Sequence, residues 1–304
     1  MNNAFLSCSG GFAVLDVGSN SVRAGIFVSG KLVSRTLITS RLGEGVENGV
    51  LKSESILRTV AAIKDLIGFA KEKGSEYICA FATEAVRRAA NKPDFLSKVK
   101  AETGLEICVV SGEDEAELAL TGALNGEDGT VIDLGGASTE VAVKQNGKTV
   151  YAHSLGLGAV ILNDLCGRDK CRLSRLISQK VAEYGEIAQS ENVVAIGGTA
   201  TSIAAYFLKL KEYDSKKIHG TVISLTELAS ITDELFVKEP AEIYENSCVD
   251  RKRAEILFGG ALLLKAVAEK CGAKKLVISE SDNLEGFYIF VARSLIKPEI
   301  LKIQ

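Results

Sequence analysis

Hydrophobic positions along this chain follow two spacings, one typical of strands and one typical of helices. Short apolar runs predict buried strands over residues 77–82, 107–110, 193–196 and 275–278. Apolar residues three and four positions apart predict helices over residues 53–73, 95–102, 173–189, 199–210, 226–237 and 251–271. Two further helices are predicted after the first two strands, ending near residues 91 and 124. The alternation of strands and helices along the chain indicates an α/β fold.

An internal repeat relates the two halves of the chain. One constant offset superposes Asp16 on Asp133 and Gly18 on Gly135 within an ungapped match of about twenty residues. Each copy predicts a buried strand ending in Asp, a glycine turn, and a second strand that runs to a Gly-Lys hairpin turn. Two such hairpins facing one another would form a phosphate and metal cleft between related domains. Two ordinary, unrelated β-hairpins are the alternative.

Composition is compatible with a globular protein of two domains. The chain has 304 residues, and a turn-rich stretch at 125–129 predicts domains 1–124 and 125–304. The net charge of −3 argues against a nucleic-acid binder, although a basic cleft could still take a polyanion. No apolar stretch has the length of a membrane span, and the N-terminus lacks the basic residues of a signal peptide. The 7 cysteines are odd in number and lack C-x-x-C spacing, which indicates reduced thiols in a cytoplasmic protein.

The first glycine turn is a candidate phosphate site. After Asp16 the loop presents Gly18, Ser19, Asn20 and Ser21. Small residues let backbone N–H groups approach an oxyanion, and the carboxylate can hold a metal or its water. A plain hairpin turn rich in turn formers is the alternative.

A helix start after the strand 77–82 is a second candidate. Thr83 is placed to cap this helix, and Arg87 lies one turn into it, leaning back towards the free N–H groups. A guanidinium beside a helix N-terminus makes a good anion site. The alternative, favoured for the segment in isolation, is that Arg87 and Arg88 form a solvated basic face.

Three acidic residues open the next predicted helix. Ser111 can cap this helix, which places Glu113, Asp114 and Glu115 in its first turn. The helix dipole favours carboxylates there, and stabilisation of the helix alone is the commoner case. The functional alternative is that one of the three orients an attacking water.

The second half of the chain supplies more acids and two further glycine turns. Asp133 and Glu140 are predicted to share the shell of a Mg²⁺ ion, with hydroxyl groups nearby donating to phosphate. A Gly-Gly turn after the strand 193–196 opens a helix that Thr199 is predicted to cap. The phosphate-binding candidates of this half are Gly135, Gly136, Ala137, Ser138, Thr139, Gly197, Gly198 and Thr199.

Other chemistries lack their motifs in this sequence. The only histidines are His153 and His219, and no Ser–His–Asp order supports acyl transfer. There is neither a G-x-x-x-x-G-K-[ST] loop nor a helix-opening G-x-G-x-x-G. Glycine-rich junctions, an arginine at a helix start and carboxylates at strand ends belong together if the target is a phosphoanhydride.

These motifs resemble, in kind and in order, those of the exopolyphosphatase and guanosine pentaphosphate phosphatase family. The resemblance spans about residues 12–290 and is carried by Asp16-Val-Gly-Ser-Asn-Ser21, Ala82-Thr-Glu-Ala-Val-Arg87, Ser111-Gly-Glu-Asp-Glu-Ala116, Asp133-Leu-Gly-Gly-Ala-Ser-Thr-Glu140, Ile196-Gly-Gly-Thr199 and His219-Gly220. The family belongs to the actin–Hsp70–sugar-kinase superfamily. The resemblance therefore implies an α/β protein with two actin-like, ribonuclease H-like domains and a central cleft.

The resemblance also implies an activity and assigns roles. Water would attack in line and release orthophosphate from the end of polyphosphate or of guanosine pentaphosphate. Glu115 would activate the water, and Arg87 would contact phosphate. The metal-linked acids would be Asp133 and Glu140, with Asp16 as the matching acid of the first domain and Mg²⁺ or another divalent cation as cofactor. A homodimer is a further implication of the family.

Two positions depart from the family pattern. Ala137 replaces the third glycine of the usual Gly-Gly-Gly-Ser and is expected to narrow the loop. Leu284 replaces the arginine of the C-terminal Leu-Arg-Glu-Gly motif, which puts any role of that arginine in doubt. Longer members continue into a helical, HD-like region associated with processive binding, so the resemblance leaves processivity open.

Three alternatives to polyphosphate hydrolysis remain. Guanosine pentaphosphate ends in the same reacting group, and the sequence does not separate the two substrates. A kinase on this fold would need an adenosine pocket and an acceptor-binding acid, for which the sequence has no clear sign. A regulator that only binds polyphosphate or an alarmone would be expected to have lost the base, yet Glu115 is present.

Overall fold

The computed structural model describes residues 11–46, 49–124, 126–190 and 192–303. Three features of the sequence analysis lie outside these residues: Cys8, the N-terminal stretch on which the signal-peptide prediction rests, and Asn125 of the predicted boundary turn. The chain divides into two compact units. Unit 1 holds the described residues up to Leu118 together with those from Asn283 onward, and unit 2 is Ala119–Asp282.

Unit 1 is built on a mixed sheet. Its chain runs through β1 (Gly11–Val17), β2 (Ser21–Val28), β3 (Lys31–Thr39), α1 (Ser53–Glu72), β4 (Ser75–Ala82), α2 (Glu84–Arg88), α3 (Lys92–Thr103), β5 (Ile107–Val109) and the first half of α4 (Gly112–Leu124). β1 is central, because it pairs antiparallel with β2 and parallel with β4. β3 continues the antiparallel meander at the edge of the sheet.

Unit 2 repeats this topology. Its chain runs through β6 (Gly129–Leu134), β7 (Thr139–Gln145), β8 (Lys148–Leu155), α5 (Ala159–Cys166), α6 (Lys170–Val181), β9 (Val193–Ile196), α7 (Gly197–Phe207), α8 (Ser215–Ile218), β10 (Val222–Ser224), α9 (Leu225–Val237), α10 (Pro240–Asn246), α11 (Arg251–Lys270) and β11 (Lys275–Ile278). β6 pairs antiparallel with β7 and parallel with β9, as β1 does with β2 and β4.

The predicted repeat is confirmed by its turns as well as by its strands. Ser29 and Gly30 join β2 to β3 with φ angles of 49° and 80°, and Asn146 and Gly147 join β7 to β8 with φ angles of 52° and 73°. Positive φ at both central residues defines the tight turn that matches the twist of a hairpin. The two copies therefore share turn type, strand pairing and register.

The chain returns to unit 1 through α12 (Asn283–Ala292) and β12 (Leu301–Lys302). α12 buries Leu284, Phe287 and Tyr288 in the apolar core of this unit, and Phe287 stacks on Phe81 with ring centroids 4.5 Å apart. β12 pairs with β4. The predicted second domain, 125–304, therefore differs from unit 2, because the last helix supplies aromatic residues that complete the core of unit 1.

Most of the predicted elements are present, and the differences have local causes. The helix predicted over residues 173–189 ends at Val181 and passes through a 3₁₀ turn to Gly185, whose φ of 64° stops it. The short elements α5, α8, β10, α10, α12 and β12 were not predicted. Within the described ranges, no helix combines the length and hydropathy needed to cross a bilayer. The six cysteines in those ranges form no disulfide bonds.

Candidate functional site

The loop between β1 and β2 presents backbone donors. The N–H of Gly18 donates to the Ser21 carbonyl at 3.1 Å and closes the turn. The carbonyls of Ser19 and Asn20 accept hydrogen bonds from the backbone of residues 40–43 at 2.8–3.1 Å. None of the described residues accepts a hydrogen bond from the N–H groups of Ser19 or Asn20. The loop thus has two backbone donors of the kind that the predicted phosphate role requires.

Asp16, at the end of β1, is bound by Arg23. The two residues face each other in the register of β1 and β2. Arg23 Nε donates to Asp16 Oδ2 at 3.0 Å, and Arg23 Nη2 contacts the same oxygen. A guanidinium therefore lies against this carboxylate, and the metal role of Asp16 stays a prediction. Sequence patterns did not single out Arg23, although its place across a tight hairpin from Asp16 was a usable signal.

Arg87 contacts two carboxylates in unit 1. Its Nη1 donates to Glu115 Oε2 at 2.9 Å and to the Val110 carbonyl at 3.0 Å, and its Nη2 contacts Glu84. Burial by itself lowers the pKa of Arg87, but the charges of Glu115 and Glu84 outweigh it and raise the pKa above its usual value. With 21% of its side chain exposed, Arg87 is not part of a solvated basic face. Thr83 occupies the predicted N-cap position of α2 without a side-chain cap bond.

The three acids at the start of α4 have different surroundings. Ser111 caps the helix, because its Oγ accepts from the Asp114 N–H at 3.0 Å and donates to Asp114 Oδ2 at 2.8 Å. Glu113 and Asp114 are exposed. Glu115 is only 4% exposed and is bound by Arg87. Glu115 thus differs from Glu113 and Asp114, because it is buried beside a cation. The two exposed acids stabilise the helix N-terminus through its dipole.

The loop between β6 and β7 repeats the geometry of the first loop. The N–H of Gly135 donates to the Ser138 carbonyl at 3.0 Å. The carbonyls of Gly135 and Gly136 accept hydrogen bonds from the first turn of α5 at 2.8–3.2 Å. This close approach requires Gly158, where a Cβ would lie 2.5 Å from the Gly136 carbonyl group. Ala137, which replaces the third glycine of the family pattern, has a buried methyl group. This methyl group therefore does not occupy the half-exposed side of the loop, where Gly135 and Gly136 lie.

Asp133 and Glu140 face each other directly across β6 and β7. Side chains that are opposed in antiparallel strands lie on the same face, so the two acidic side chains are neighbours on one face of the sheet. They are 7% and 2% exposed. The backbone of Gly197 also lies close by, because a Cβ there would be 2.7 Å from Asp133 Oδ1.

The repeat reveals an electrostatic difference between the units. Arg23 and Glu140 hold equivalent positions, so Asp16 faces an arginine whereas Asp133 faces a second acid. Mg²⁺ is usually held by one or two carboxylates and keeps water or phosphate oxygens as its other ligands. The Asp133–Glu140 pair fits this donor set. No cluster of three or more His, Cys, Asp or Glu side chains suited to a metal occurs among the described residues.

Thr139 belongs to the network that supports the second loop. It is fully buried, and its Oγ1 donates to the Leu157 carbonyl at 2.7 Å. Its own carbonyl accepts from the Tyr184 hydroxyl at 2.7 Å. Burial and the charge of Glu140 raise the pKa of Tyr184, which keeps this hydroxyl a donor. The Thr139 side chain makes this contact instead of the predicted phosphate contact, since strand alternation turns it away from the face that carries Glu140.

The glycine turn after β9 differs from the prediction at its cap. α7 begins at Gly197 with Ile196 as its N-cap, so the predicted capping role of Thr199 is wrong. Thr199 lies in the first turn of α7, fully buried, with its methyl group against Gly260. Packing against α11 therefore determines the orientation of the Thr199 side chain. The backbone N–H groups of this turn remain available to an anion, and Thr199 Oγ1 is buried without a hydrogen-bond partner among the described residues, so its phosphate role stays a prediction.

Arg253 of α11 is a candidate that sequence patterns did not identify. A Cβ on Gly198 would overlap Arg253 Nη2, so the guanidinium lies directly against the first turn of α7. An arginine beside a helix N-terminus is the anion-binding combination that was predicted for Arg87. No local signal reveals it, because Gly198 and Arg253 are distant in sequence and meet only through the packing of α11 on α7.

Leu284 and His219 have structural environments. Leu284, which replaces the family's arginine, is buried in the core of unit 1 and supplies no polar group. Its neighbour Glu285 is bound by Arg35 at 2.7 Å. His219 Nδ1 accepts the N–H of Glu280 at 3.2 Å in unit 2.

Comparison with known proteins identifies similar chains. The model of the Ppx/GppA phosphatase family matches residues 22–290. The bifunctional 3-dehydroquinate synthase/phosphatase of Fusobacterium nucleatum is 28% identical over 90% of this chain, and the match spans only 45% of that longer protein. Exopolyphosphatase 1 of Mycobacterium leprae is 33% identical over 83% of this chain and 81% of that protein.

A solved structure supports the same relationship. The crystal structure of an Aquifex aeolicus Ppx/GppA family member has a TM-score of 0.76 to this chain at 26% identity. The match covers 95% of this chain and 99% of that one. The predicted fold class, α/β with two actin-like domains, is confirmed.

Proposed function

Because the chain belongs to the Ppx/GppA phosphatase family, as its motifs predicted, we propose that it hydrolyses the terminal phosphate of inorganic polyphosphate and releases orthophosphate. The observation that carries this proposal is the environment of Glu115, a buried carboxylate at a helix start that is oriented by an arginine. The similarity to an exopolyphosphatase supports polyphosphate as the first substrate to test.

Glu115 is the general base in this proposal. As water attacks the terminal phosphorus, Glu115 accepts its proton, and the bond from phosphorus to the bridging oxygen of the leaving chain breaks. Arg87 Nη1 donates to Oε2 of Glu115 and thereby restrains the orientation of the carboxylate. Two of the five N–H groups of Arg87, one on Nε and one on Nη2, have no acceptor among the described residues. These donors support the predicted contact with a phosphate oxygen.

Asp133 and Glu140 are the residues that would hold Mg²⁺ or another divalent cation. When bound, the cation supplies positive charge against the phosphate oxygens. In each unit, the backbone N–H groups of the loop that follows Asp16 or Asp133 are of a kind that donates to phosphate oxygens. Since backbone donors do not depend on the identity of the group attached to the phosphate, they suit a polymer with no other recognition feature.

Three further predictions belong to the same proposal. Guanosine pentaphosphate ends in the same phosphoanhydride and is the second substrate to test. A regulator with weak catalysis is less well supported, because Glu115 is both present and bound by Arg87. A homodimer and a cytoplasmic location remain predictions, and size-exclusion chromatography with light scattering would test the first.

The test is a side-by-side assay of phosphate release. The full chain is incubated with Mg²⁺ and short polyphosphate, long polyphosphate, guanosine pentaphosphate or ATP. We expect orthophosphate from polyphosphate, with ATP the poorest substrate. If orthophosphate were released from guanosine pentaphosphate alone, that compound would replace polyphosphate as the assigned substrate. No release from any of the four substrates would overturn the proposed activity.

A further inference from the structure

A row of three polar residues crosses the sheet of unit 2 beside the second loop. Asp133 on β6, Glu140 on β7 and Ser154 on β8 are aligned by the pairing register of the three strands. Ser154 Oγ donates to Glu140 Oε1 at 2.7 Å. We propose that Ser154 is a positioning residue that fixes the Glu140 carboxylate for a divalent cation. This inference rests on the metal pair of the proposed function.

The hydrogen bond has a direct consequence for the carboxylate. A glutamate side chain has three rotatable bonds, and binding a cation requires that they be ordered. Because Oε1 and Oε2 belong to one rigid planar group, a hydrogen bond to Oε1 also restrains the position of Oε2. Partners of this kind, which hold a metal ligand without touching the metal, typically affect affinity about 10- to 100-fold.

The first copy of the repeat provides an internal comparison. There the equivalent row reads Asp16, Arg23 and Leu37. Leu37 has no hydroxyl group and is 53% exposed. A hydroxyl that the hairpin needed for folding would be expected in both copies. The serine instead occurs in the row whose middle residue is an acid, which ties it to that acid.

Direct measurement of metal binding tests the proposal without relying on turnover. Electron paramagnetic resonance reports free Mn²⁺ during titration of the full chain, using the wild type, Ser154→Ala and Ser154→Thr. We expect Ser154→Ala to raise the Kd for Mn²⁺ about 10- to 100-fold. Ser154→Thr keeps the hydroxyl and suits a strand, so its Kd should return to within about threefold of the wild type.

Ser224→Ala is the matched control. Ser224 Oγ donates to Glu227 Oε2 at 2.6 Å in the capping box of α9, so this variant removes a similar serine–carboxylate contact from the same unit. We expect it to lower the melting temperature and leave the Kd for Mn²⁺ unchanged. In phosphate release, Ser154→Ala should shift the half-activating Mn²⁺ concentration by the same factor as the Kd. Its rate at saturating Mn²⁺ should stay near the wild-type rate.

Each alternative outcome has a distinct meaning. An unchanged Kd in Ser154→Ala, or an equal loss in Ser154→Thr, would overturn the positioning role. Absence of Mn²⁺ binding by the wild type would overturn it together with the proposed metal pair. Binding that depends on Ser154 in a protein that releases no phosphate would refute the proposed hydrolysis and leave this inference standing.

Discussion

Replacement of Glu115 by glutamine tests the chemistry of unit 1 most directly. Glutamine has the same size, and its side-chain oxygen can still accept the N–H of Arg87 that lies 2.9 Å from Oε2. It cannot take a proton from water. General-base catalysis contributes about 10²- to 10⁴-fold, which at about 1.36 kcal/mol per factor of ten corresponds to about 2.7–5.4 kcal/mol of activation free energy. We expect the rate of phosphate release to fall by this factor while polyphosphate binding remains measurable.

The same substitution has a bounded effect on stability. Arg87 keeps its contacts with Glu84 and with the Val110 carbonyl, so the guanidinium is not left without a carboxylate. Weakening one charge-assisted hydrogen bond costs about 1–3 kcal/mol, which is less than the total stability of a typical domain. The variant should therefore fold with a lowered melting temperature, and circular dichroism measures that change.

The assay compares kcat for orthophosphate release at saturating polyphosphate and Mg²⁺, with binding measured by calorimetry. Glu113→Gln is the control, because it makes the same chemical change in the same helical turn at an exposed side chain. We expect its kcat to stay within about twofold of the wild type, since one exposed charge near a helix end contributes well under 1 kcal/mol. An unaltered kcat in Glu115→Gln would refute the assignment, and an equal fall in both variants would attribute the loss to the charge of the helix terminus.

Five further outcomes test other contacts in the structure. Arg87→Lys should lower phosphate release at least about tenfold and lower the melting temperature, because an ammonium group cannot reproduce the forked contacts with two carboxylates and a carbonyl. Gly158→Ala should destabilise the protein by about 1–3 kcal/mol in urea unfolding, since its Cβ would lie 2.5 Å from the neighbouring loop backbone. Gly68→Ala, which meets nothing within 4 Å on α1, should instead stabilise it by about 0.5–1 kcal/mol. Removal of divalent cations with EDTA should stop phosphate release, and added Mg²⁺ should restore it. In a thiol titration at about pH 8, exposed Cys171 should react while Cys271 should not, because burial raises the pKa of Cys271 to about 12 and leaves almost no thiolate.

Contrary results would be equally clear. Wild-type kinetics in Arg87→Lys would show that the fork geometry is unimportant, and an unchanged unfolding free energy in Gly158→Ala would show that the loop can relax. Phosphate release that survives EDTA would exclude the metal role. If Cys171→Ser had as many fast-reacting thiols as the wild type, the exposure of Cys171 would be contradicted.

Much of the candidate site is encoded locally and was therefore predictable. The strand that ends in Asp16 and the strand that ends in Asp133 each show an apolar run followed by small turn residues, a pattern that depends only on neighbours in sequence. Because both hairpins carry the same pattern, the duplication was predictable as well, and the alternation of strands and helices indicated the α/β class. Ser111 as a helix cap is another local signal, and the structure confirms it.

The remaining features depend on contacts between residues that are distant in sequence. Arg87 and Glu115 are 28 residues apart, and only packing separates buried Glu115 from exposed Glu113. The approach of α11 to α7 and the return of α12 to the first core are likewise tertiary. Sequence by itself determined which segments form strands, turns and helix starts, because those preferences come from local sterics and hydrogen bonding. Tertiary structure decided which charges meet between distant elements, such as those of Arg87 and Glu115, because core packing chooses partners that no local pattern specifies.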